Sequence, residues 1–203
     1  MYKLNYFTEQ DTAVVLDFMK EYSFAVVTGS TKEYPVATHL PLDIQQVEGK
    51  LFFTGHLMKN TDHHKAFLEN DKVLVIFNGP HCHVSASWYS DPALASTWNY
   101  ITVHAKGKIS FVDEMQTMKI LEDITNKYEG RESEASFAKL PNEYVERLVK
   151  AIVGFNIEVE SYENVFKLSQ NHDLKTRESI ATHLEARSNH GDVAIAYELR
   201  KRM

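Results

Sequence analysis

The residues best suited to bind an anion lie in the segment Gly55-His-Leu-Met-Lys-Asn-Thr61. It connects a predicted strand to a helix predicted over 62–68. A helix N-terminus offers unpaired backbone N–H groups and a favourable dipole, and Lys59 adds a positive charge, with further donors on His56 and Asn60. These are the components of a phosphate site. Ordinary capping of the helix by a polar residue of the loop explains the same segment, and on this segment alone it is the commoner arrangement.

Two aromatic segments, Ser85-Ala-Ser-Trp-Tyr89 and Thr97-Trp-Asn-Tyr100, lie on either side of a polar loop predicted over 90–97. They contain both tryptophans of the chain. Large rigid rings beside hydroxyl and amide groups suit a planar ligand or a subunit interface. Packing in the core is the commoner role of any single tryptophan. Because both tryptophans lie close together beside polar donors, a ligand site or an interface is favoured, and core packing is not excluded.

A third polar segment, Lys167-Leu-Ser-Gln-Asn171, closes the last predicted strand and leads into a helix. Its three consecutive polar residues could fix a ligand at the strand end. They could equally cap the helix that follows, which is the commoner use of such residues.

The histidines and the cysteine give weaker signals. The chain has ten histidines, of which His81 and His83 alternate on one strand and His63 and His64 share the short helix. No third ligand stands at a metal-binding spacing, so no metal site is predicted. Cys82, the single cysteine, fits an inert small hydrophobe better than a nucleophile. No G-x-S-x-G elbow marks a hydrolase serine.

Hydrophobic periodicity predicts the elements that position these segments. The first predicted helix follows a capping pattern at Thr8 and Asp11. Further helices are predicted over 62–68, 115–128 and 141–152, and over 173–203 in two parts that are broken near Gly191. Predicted strands cover 24–28, 35–42, 50–54, 72–77 (fully buried), 81–87, 155–160 and 165–169, with a strand pair across 98–112 bent at Gly107. Pro35 and Pro41 place the second strand at an edge or a bulge, because proline cannot donate to a central ladder.

This succession predicts a mainly β protein with helices, of the α+β class. Six or seven strands follow one another like hairpins, without regular strand–helix alternation, which favours a closed antiparallel barrel with helical decoration. No Gly-rich dinucleotide fingerprint or P-loop supports a parallel doubly wound sheet.

Composition limits the function classes. The chain has 203 residues, with 22 Lys and Arg against 28 Asp and Glu, a formal net charge of −6. This balance argues against a protein that coats polyanions. One cysteine excludes an internal disulfide framework. Residues 1–11 lack the features of a signal peptide, and no apolar run reaches the roughly 18 residues that span a bilayer, so we expect a cytoplasmic protein.

The segments together resemble the PaiB-type family of FMN-binding negative transcriptional regulators. The matching stretches, in collinear order, are Thr38-His-Leu-Pro41, Gly55-His56 with Lys59, Phe77-Asn-Gly-Pro80, Ser85-x-Ser-Trp-Tyr89, Thr97-Trp-Asn-Tyr100, His104-Ala-x-Gly107, Ala151-Ile-Val-Gly154 and Lys167-Leu-Ser-Gln-Asn171. Each stretch is weak alone, and the ordered set is specific.

The resemblance implies an antiparallel split β-barrel similar to that of pyridoxamine-phosphate oxidases and small flavin reductases. It implies one domain over 1–203 with a helical C-terminal extension at 172–203, and a homodimer with FMN at the subunit interface. The implied cofactor-binding residues are Thr38, His39, Leu40, Phe53 and Thr54 around the flavin, His56, Lys59 and Asn60 at its phosphate, and Ser85, Ser87, Trp88, Tyr89, Trp98, Asn99, Lys167, Ser169, Gln170 and Asn171 completing the pocket, in part from the other subunit.

The chain departs from the family pattern at two places, and the smaller change is Ser85-Ala-Ser-Trp-Tyr89 in place of the family's Ser-Pro-Ser-Trp-Tyr. Where the family has Arg-Ala-Asn-Pro after Gly-His, this chain has Lys59-Asn-Thr-Asp62. Lysine offers a point charge in place of a bidentate fork, and Asp62 adds a negative charge.

Three functions stay open on the sequence. The resemblance favours an FMN-binding dimeric regulator, with DNA as a partner that the dispersed basic residues and the net charge do not support. The fold also permits an FMN-dependent oxidoreductase acting on a small molecule, because flavin itself supplies the redox chemistry. The third is an interaction module whose flavin site has decayed.

Overall fold

A computed structural model describes residues 1, 4–91 and 93–203. Residues 2 and 3 of the N-terminal segment, and residue 92 of the loop predicted over 90–97, lie outside the described residues. The strands are β1 (Phe24–Ser30), β2 (Pro35–Pro41), β3 (Asp43–Val47), β4 (Lys50–Met58), β5 (Lys72–Val84), β6 (Thr97–Phe111) and β7 (Ile152–Lys167). The α-helices are α1 (Thr12–Glu21), α2 (Asp62–Glu69), α3 (Glu114–Glu129), α4 (Asn142–Ala151), α5 (Leu174–Arg187) and α6 (Asp192–Lys201).

The strands form one sheet in the order β2-β1-β5-β6-β7-β4-β3. The pairs β1–β2, β1–β5, β3–β4 and β4–β7 are antiparallel. β2 stands at an edge, as its two prolines predict. It also approaches β4, near the opposite end of the order, to within 8 Å between Cα atoms. The sheet therefore curls towards itself, which confirms the predicted antiparallel split barrel.

The chain divides into two compact units. The terminal unit comprises residues 1–18, 78–103 and 163–203, and the central unit comprises 19–77 and 104–162. β5, β6 and β7 each contribute residues to both units. The single domain predicted over 1–203 stays a prediction.

Alternating burial along the strands builds the core of the central unit. On β4 the alternate residues Leu51, Phe53, Gly55 and Leu57 are buried, while the positions between them are half-buried. The ring of Phe53 meets that of Phe77 edge to face, with 5.2 Å between centroids. β5 alternates in the same way, so the prediction of a fully buried strand over 72–77 is wrong: Leu74 is half-buried on the opposite face.

Three predicted breaks within strands are also wrong. The segments 72–77 and 81–84 belong to the single strand β5, and the predicted strand over 81–87 is wrong at its end, where a short 3-10 helix covers Ala86–Trp88. The pair across 98–112 is the single strand β6, and 155–160 with 165–167 belong to β7. Residues 78–80, between the first two predicted segments, lie within β5. A Cβ on Gly79 would lie 2.5 Å from the ring of Phe18, so the glycine makes room for α1.

The helices match their predicted positions closely. α1 begins after Asp11, whose carboxylate accepts from the N–H of Ala13 at 2.9 Å, so the cap is Asp11 and not Thr8. The break near Gly191 separates α5 from α6 as predicted. Strand β3 was missed because its polar sequence Asp43-Ile-Gln-Gln-Val47 occupies an edge and buries only Ile44.

Candidate functional site

The central unit presents the first group of predicted site residues on β2 and β4. Thr54 and His56 lie on the face of β4 opposite the core, because side chains alternate along a strand. Phe53, between core neighbours, is 0% exposed. On β2 the side chain of His39 is exposed, with its ring 6.0 Å from that of Phe24. Only part of the predicted flavin-lining set therefore offers a side chain to a ligand.

Leu40 and Thr38 complete the β2 group. Leu40 is buried at 9% exposure, and Thr38, two residues earlier on the same face of β2, is half-buried. Of the five residues predicted around the flavin, Thr38, His39 and Thr54 have accessible side chains, and Leu40 and Phe53 belong to the core.

His56 carries an orphaned polar atom. Its Nδ1 is buried and has no hydrogen-bond partner in the part of the chain that the structure describes. Burial lowers the pKa of His56 below its ordinary value of 6.5, so the ring is neutral at pH 7. A buried nitrogen without a partner is costly, and a ligand that hydrogen-bonds it would recover that cost.

Lys59 and Asn60 follow at the end of β4. The ammonium of Lys59 has one long contact, 3.4 Å to the carbonyl oxygen of Val149, and its backbone N–H donates to Ala151. Asn60 is exposed at φ 66°, and its N–H donates to Nδ1 of His64 at 3.0 Å. Lys59 therefore retains donors for a ligand, since an ammonium has three.

The N-terminus of α2 is capped by the protein itself. Thr61 accepts from the N–H of His64 at 3.3 Å, and the carboxylate of Asp62 accepts from the N–H of His63 at 2.7 Å. These hydrogen bonds lower the pKa of Asp62, so it is ionised at neutral pH. The capping interpretation of the loop is thereby confirmed, and binding of a phosphate here would depend on the side chains of His56 and Lys59.

The terminal unit contains a cavity of about 350 Å³ that brings three predicted segments together. Its lining residues are Tyr6, Phe7, Tyr89, Leu94, Ala95, Ser96, Thr97, Asn99, Lys167, Ser169, Asn171 and His172. Five of them belong to the predicted site set. Thr97 lies in a recognised motif but was not predicted as a site residue, and Phe7 and His172 had no signal in the sequence.

Lys167 is the cation of this cavity. Its ammonium donates to the hydroxyl of Thr97 and lies 5.9 Å from the centre of the Phe7 ring. No carboxylate lies within 4 Å of it among residues 1, 4–91 and 93–203. Burial, with no opposing charge, lowers the pKa of Lys167 below its usual value.

Asn99 and Ser169 form the buried floor of the cavity. The amide nitrogen of Asn99 lies 3.0 Å from the Ser169 hydroxyl, which lies 3.2 Å from the amide oxygen. Ser169 has a φ of 59°, an uncommon conformation for a residue other than glycine. Gln170 is engaged elsewhere: its side chain accepts from the N–H of Leu168 and donates to the carbonyl of Phe166.

Tyr89 supplies an aromatic wall and a second orphaned atom. Its hydroxyl is buried without a partner among the described residues, and burial raises its pKa. Its ring lies 4.6 Å from that of His172. The remaining lining residue of the predicted set, Asn171, is exposed.

The other residues of the aromatic segments do not line this cavity. The hydroxyl of Ser85 accepts from the N–H of Ser87, which caps a short 3-10 helix over Ala86–Trp88. Trp88 stacks on His183 at 5.2 Å. Trp98 is 54% exposed, beside the rings of two histidines on β5.

The strand order and the approach of β2 to β4 define an antiparallel split-barrel fold. Two solved structures share it: the flavocytochrome Anf3 of Azotobacter vinelandii (TM-score 0.62, 15% identity, 82% of this chain and 72% of that one) and the FAD and heme binding protein of Mycobacterium smegmatis (TM-score 0.59, 14% identity, 91% and 82%).

The family follows from the sequence comparisons. The model of the family described as "Putative FMN-binding domain" matches residues 1–161. The chain is also 34% identical over 190 residues to the protease synthase and sporulation protein PAI 2 of Bacillus subtilis strain 168, covering 93% of this chain and 91% of that protein. The chain belongs to this FMN-binding family, and FMN is its cofactor. The predicted PaiB-type resemblance is confirmed.

The residues present fit such a cofactor. FMN carries a phosphate, ribityl hydroxyls and a ring edge with donors and acceptors. The central unit offers Lys59 without a carboxylate partner in the described ranges, and an orphaned buried atom on His56. Among the residues described, no group of three or more His, Cys, Asp and Glu side chains could hold a metal ion. The described helices include none long and apolar enough to cross a membrane.

Proposed function

We propose that the protein is a cytoplasmic, homodimeric regulator that binds FMN at its subunit interface. The observation that carries the FMN site is the Nδ1 of His56, which is buried and has no hydrogen-bond partner among the described residues. It lies on the face of β4 opposite the core, three residues before Lys59. A binding site leaves such atoms unpaired because the ligand completes them, whereas a structural histidine is paired within the fold.

In this proposal His56 and Lys59 hold the phosphate of FMN, with Asn60 beside them. Lys59 supplies the charge and the neutral ring of His56 supplies a directed hydrogen bond, because its lowered pKa leaves it uncharged at pH 7. Asp62 opposes the phosphate through its ionised carboxylate. We therefore expect weaker FMN binding than an arginine at position 59 would give, since arginine binds phosphate in a bidentate manner.

Thr38, His39 and Thr54 contribute accessible side chains to the flavin, and Leu40 and Phe53 support it from the core. Ser85, Ser87, Trp88, Tyr89, Trp98, Asn99, Lys167, Ser169, Gln170 and Asn171 form the second proposed group of site residues. When bound, FMN supplies redox chemistry, and the chain binds and orients it.

Regulation without direct DNA contact suits the charge distribution. Both arginines of the densest basic stretch, at 200–202, form ion pairs within the chain: Arg200 pairs with Glu185 at 2.6 Å, and Arg202 pairs with Glu198 and Glu9. A net charge of −6 opposes non-specific binding to DNA. We propose that the protein acts on transcription through a partner protein.

The test of the cofactor site is retention of FMN by the purified protein on a desalting column, read as the flavin absorption spectrum. We expect the wild type to retain FMN, and Lys59→Met and His56→Ala each to lower the affinity by about 10-fold or more. Lys20→Met, which removes an exposed lysine of α1, is the matched control. Retention by Lys59→Met and His56→Ala equal to that of the wild type would reject this phosphate site.

A second assay separates a regulator from an oxidoreductase. Loaded protein is mixed with NADH or NADPH, and the flavin absorption is followed. A regulator that uses FMN as a fixed ligand shows no multiple turnovers. Catalytic bleaching and reoxidation over many cycles would instead identify an FMN-dependent oxidoreductase.

A further inference from the structure

The cavity of the terminal unit contains a half-buried cation, Lys167. Among the described residues that line it there is no aspartate or glutamate. The Lys167 ammonium has one hydroxyl partner, Thr97, and two of its three donors remain for another acceptor. A half-buried ammonium without a counter-ion in the described part of the chain is only partly solvated, so an anion that enters the cavity would find favourable hydrogen bonds and charge there.

The walls specify the kind of anion. Phe7 is buried, Tyr89 is 8% exposed, and Leu94 adds a third apolar lining residue, beside the polar Asn99 and Ser169. A carboxylate carries one charge and accepts hydrogen bonds with both oxygens. One cation and aromatic walls match a small apolar or aromatic carboxylate.

The orphaned hydroxyl of Tyr89 is an independent sign that a ligand belongs here. It is buried and unpaired in the described part of the chain, within a residue that lines the same cavity as Lys167. Tyrosine hydroxyls in buried positions usually have a partner. The volume of about 350 Å³ lies within the range of small-molecule sites, which is about 300–1,000 Å³.

We infer that this cavity binds a small aromatic carboxylate, with Lys167 as its counter-ion and Phe7 and Tyr89 against its ring. The inference deepens the proposed function, on which it rests for its biological role, because it gives the FMN-binding regulator the chemical class of its effector. It reassigns Tyr89, Asn99, Lys167 and Ser169 from the flavin to this second ligand.

The experiment is calorimetric titration of the protein, freed of flavin, with benzoate, benzamide and inorganic phosphate. Benzamide has nearly the shape of benzoate without its charge. We expect benzoate to bind, with benzamide and phosphate each at least about 10-fold weaker. Lys167→Met should weaken benzoate by about 10- to 100-fold, as expected for loss of a charged hydrogen bond. Lys175→Met, an exposed lysine of α5, is the control and should leave benzoate binding unchanged.

The comparison of benzoate with benzamide needs no variant, so it decides the question even if Lys167→Met fails to fold. Equal affinities for the two compounds, or no saturable benzoate binding, would overturn the inference. Competition between FMN and benzoate, with both lost in Lys167→Met, would also overturn it by assigning the cavity to the flavin. Benzoate binding by a protein that fails to bind FMN would uphold the cavity and reject the proposed function.

Discussion

The side chains of Asn99 and Ser169 hydrogen-bond to each other in the interior of the terminal unit, with nitrogen–oxygen and oxygen–oxygen distances of 3.0 and 3.2 Å. They lie 70 positions apart in the chain, near the start of β6 and just after the end of β7. Asn99 is 0% exposed and Ser169 is 2% exposed. This pair fixes the strand end that carries Lys167, so the cation and the floor of its cavity are positioned together.

Asn99→Ala should destabilise the protein by about 1–3 kcal/mol, because it leaves the buried hydroxyl of Ser169 without its amide partner. The measurement is the free energy of unfolding in urea. Ser110→Ala, which removes an exposed hydroxyl with one 3.4 Å contact, should change it by less than about 0.5 kcal/mol. Equal effects of the two substitutions would show that the pair makes no net contribution.

The ion pair between Arg187 and Asp192 should make the free energy of unfolding depend on pH in the acidic range. Arg187 contacts both carboxylate oxygens, at 2.6 and 2.7 Å, and the side chain of Asp192 is 1% exposed. The hydrogen bonds from Arg187 lower the pKa of Asp192 below its ordinary value of 3.8. Because the pKa of Asp192 is lower in the folded protein than in the unfolded chain, the ionised carboxylate contributes its full stabilisation above pH 3.8. This contribution is lost as the pH falls through the pKa that Asp192 has in the folded protein.

Asp192→Asn should therefore cost about 2–3 kcal/mol at pH 7, since one partner of a mostly buried pair is removed. The deficit against the wild type should be constant between pH 5 and 7 and shrink below about pH 4. Urea unfolding at several pH values measures both. A deficit that grows as the pH falls would contradict this assignment.

Cys82 should be unreactive in the native protein. It is 3% exposed on β5, and burial together with the nearby charge of Asp192 raises the pKa of its thiol to about 12. Thiolate is the reactive form, so the group is both protonated and shielded at pH 7. We expect a colorimetric disulfide reagent to titrate one thiol in guanidinium and none in buffer on the same timescale. Rapid labelling of the folded protein would show that β5 opens locally.

The sequence predicted the antiparallel barrel well because alternation and turn residues report local structure directly. The long strands were divided wrongly because a glycine within a strand can mark either a bend or the close approach of another element. Gly107 was interpreted as a bend in the strand, but a Cβ there would lie 2.5 Å from the carbonyl oxygen of Glu158 on β7. The glycine permits close approach of a neighbouring strand, a non-local requirement that no local pattern reveals.

The candidate site was predicted in part for a similar reason. Five residues of the predicted set line one cavity, because motifs that end strands mark positions where side chains can meet a ligand. Other details depend on rotamers and hydrogen bonds that a sequence does not specify. At the start of α2 the backbone N–H groups already donate to side chains of the loop, and the side-chain amide of Gln170 already accepts from Leu168. The orphaned atoms of His56 and Tyr89 emerge only from the packing around them.

The most direct test of FMN binding at Lys59 is a calorimetric titration of flavin-free protein with FMN, for the wild type and for Lys59→Met. We expect saturable binding with one FMN per chain in the wild type. We expect an affinity lower by about 10-fold or more in the variant. No heat of binding, together with a free-flavin fluorescence unchanged by the wild-type protein, would contradict FMN binding at this site.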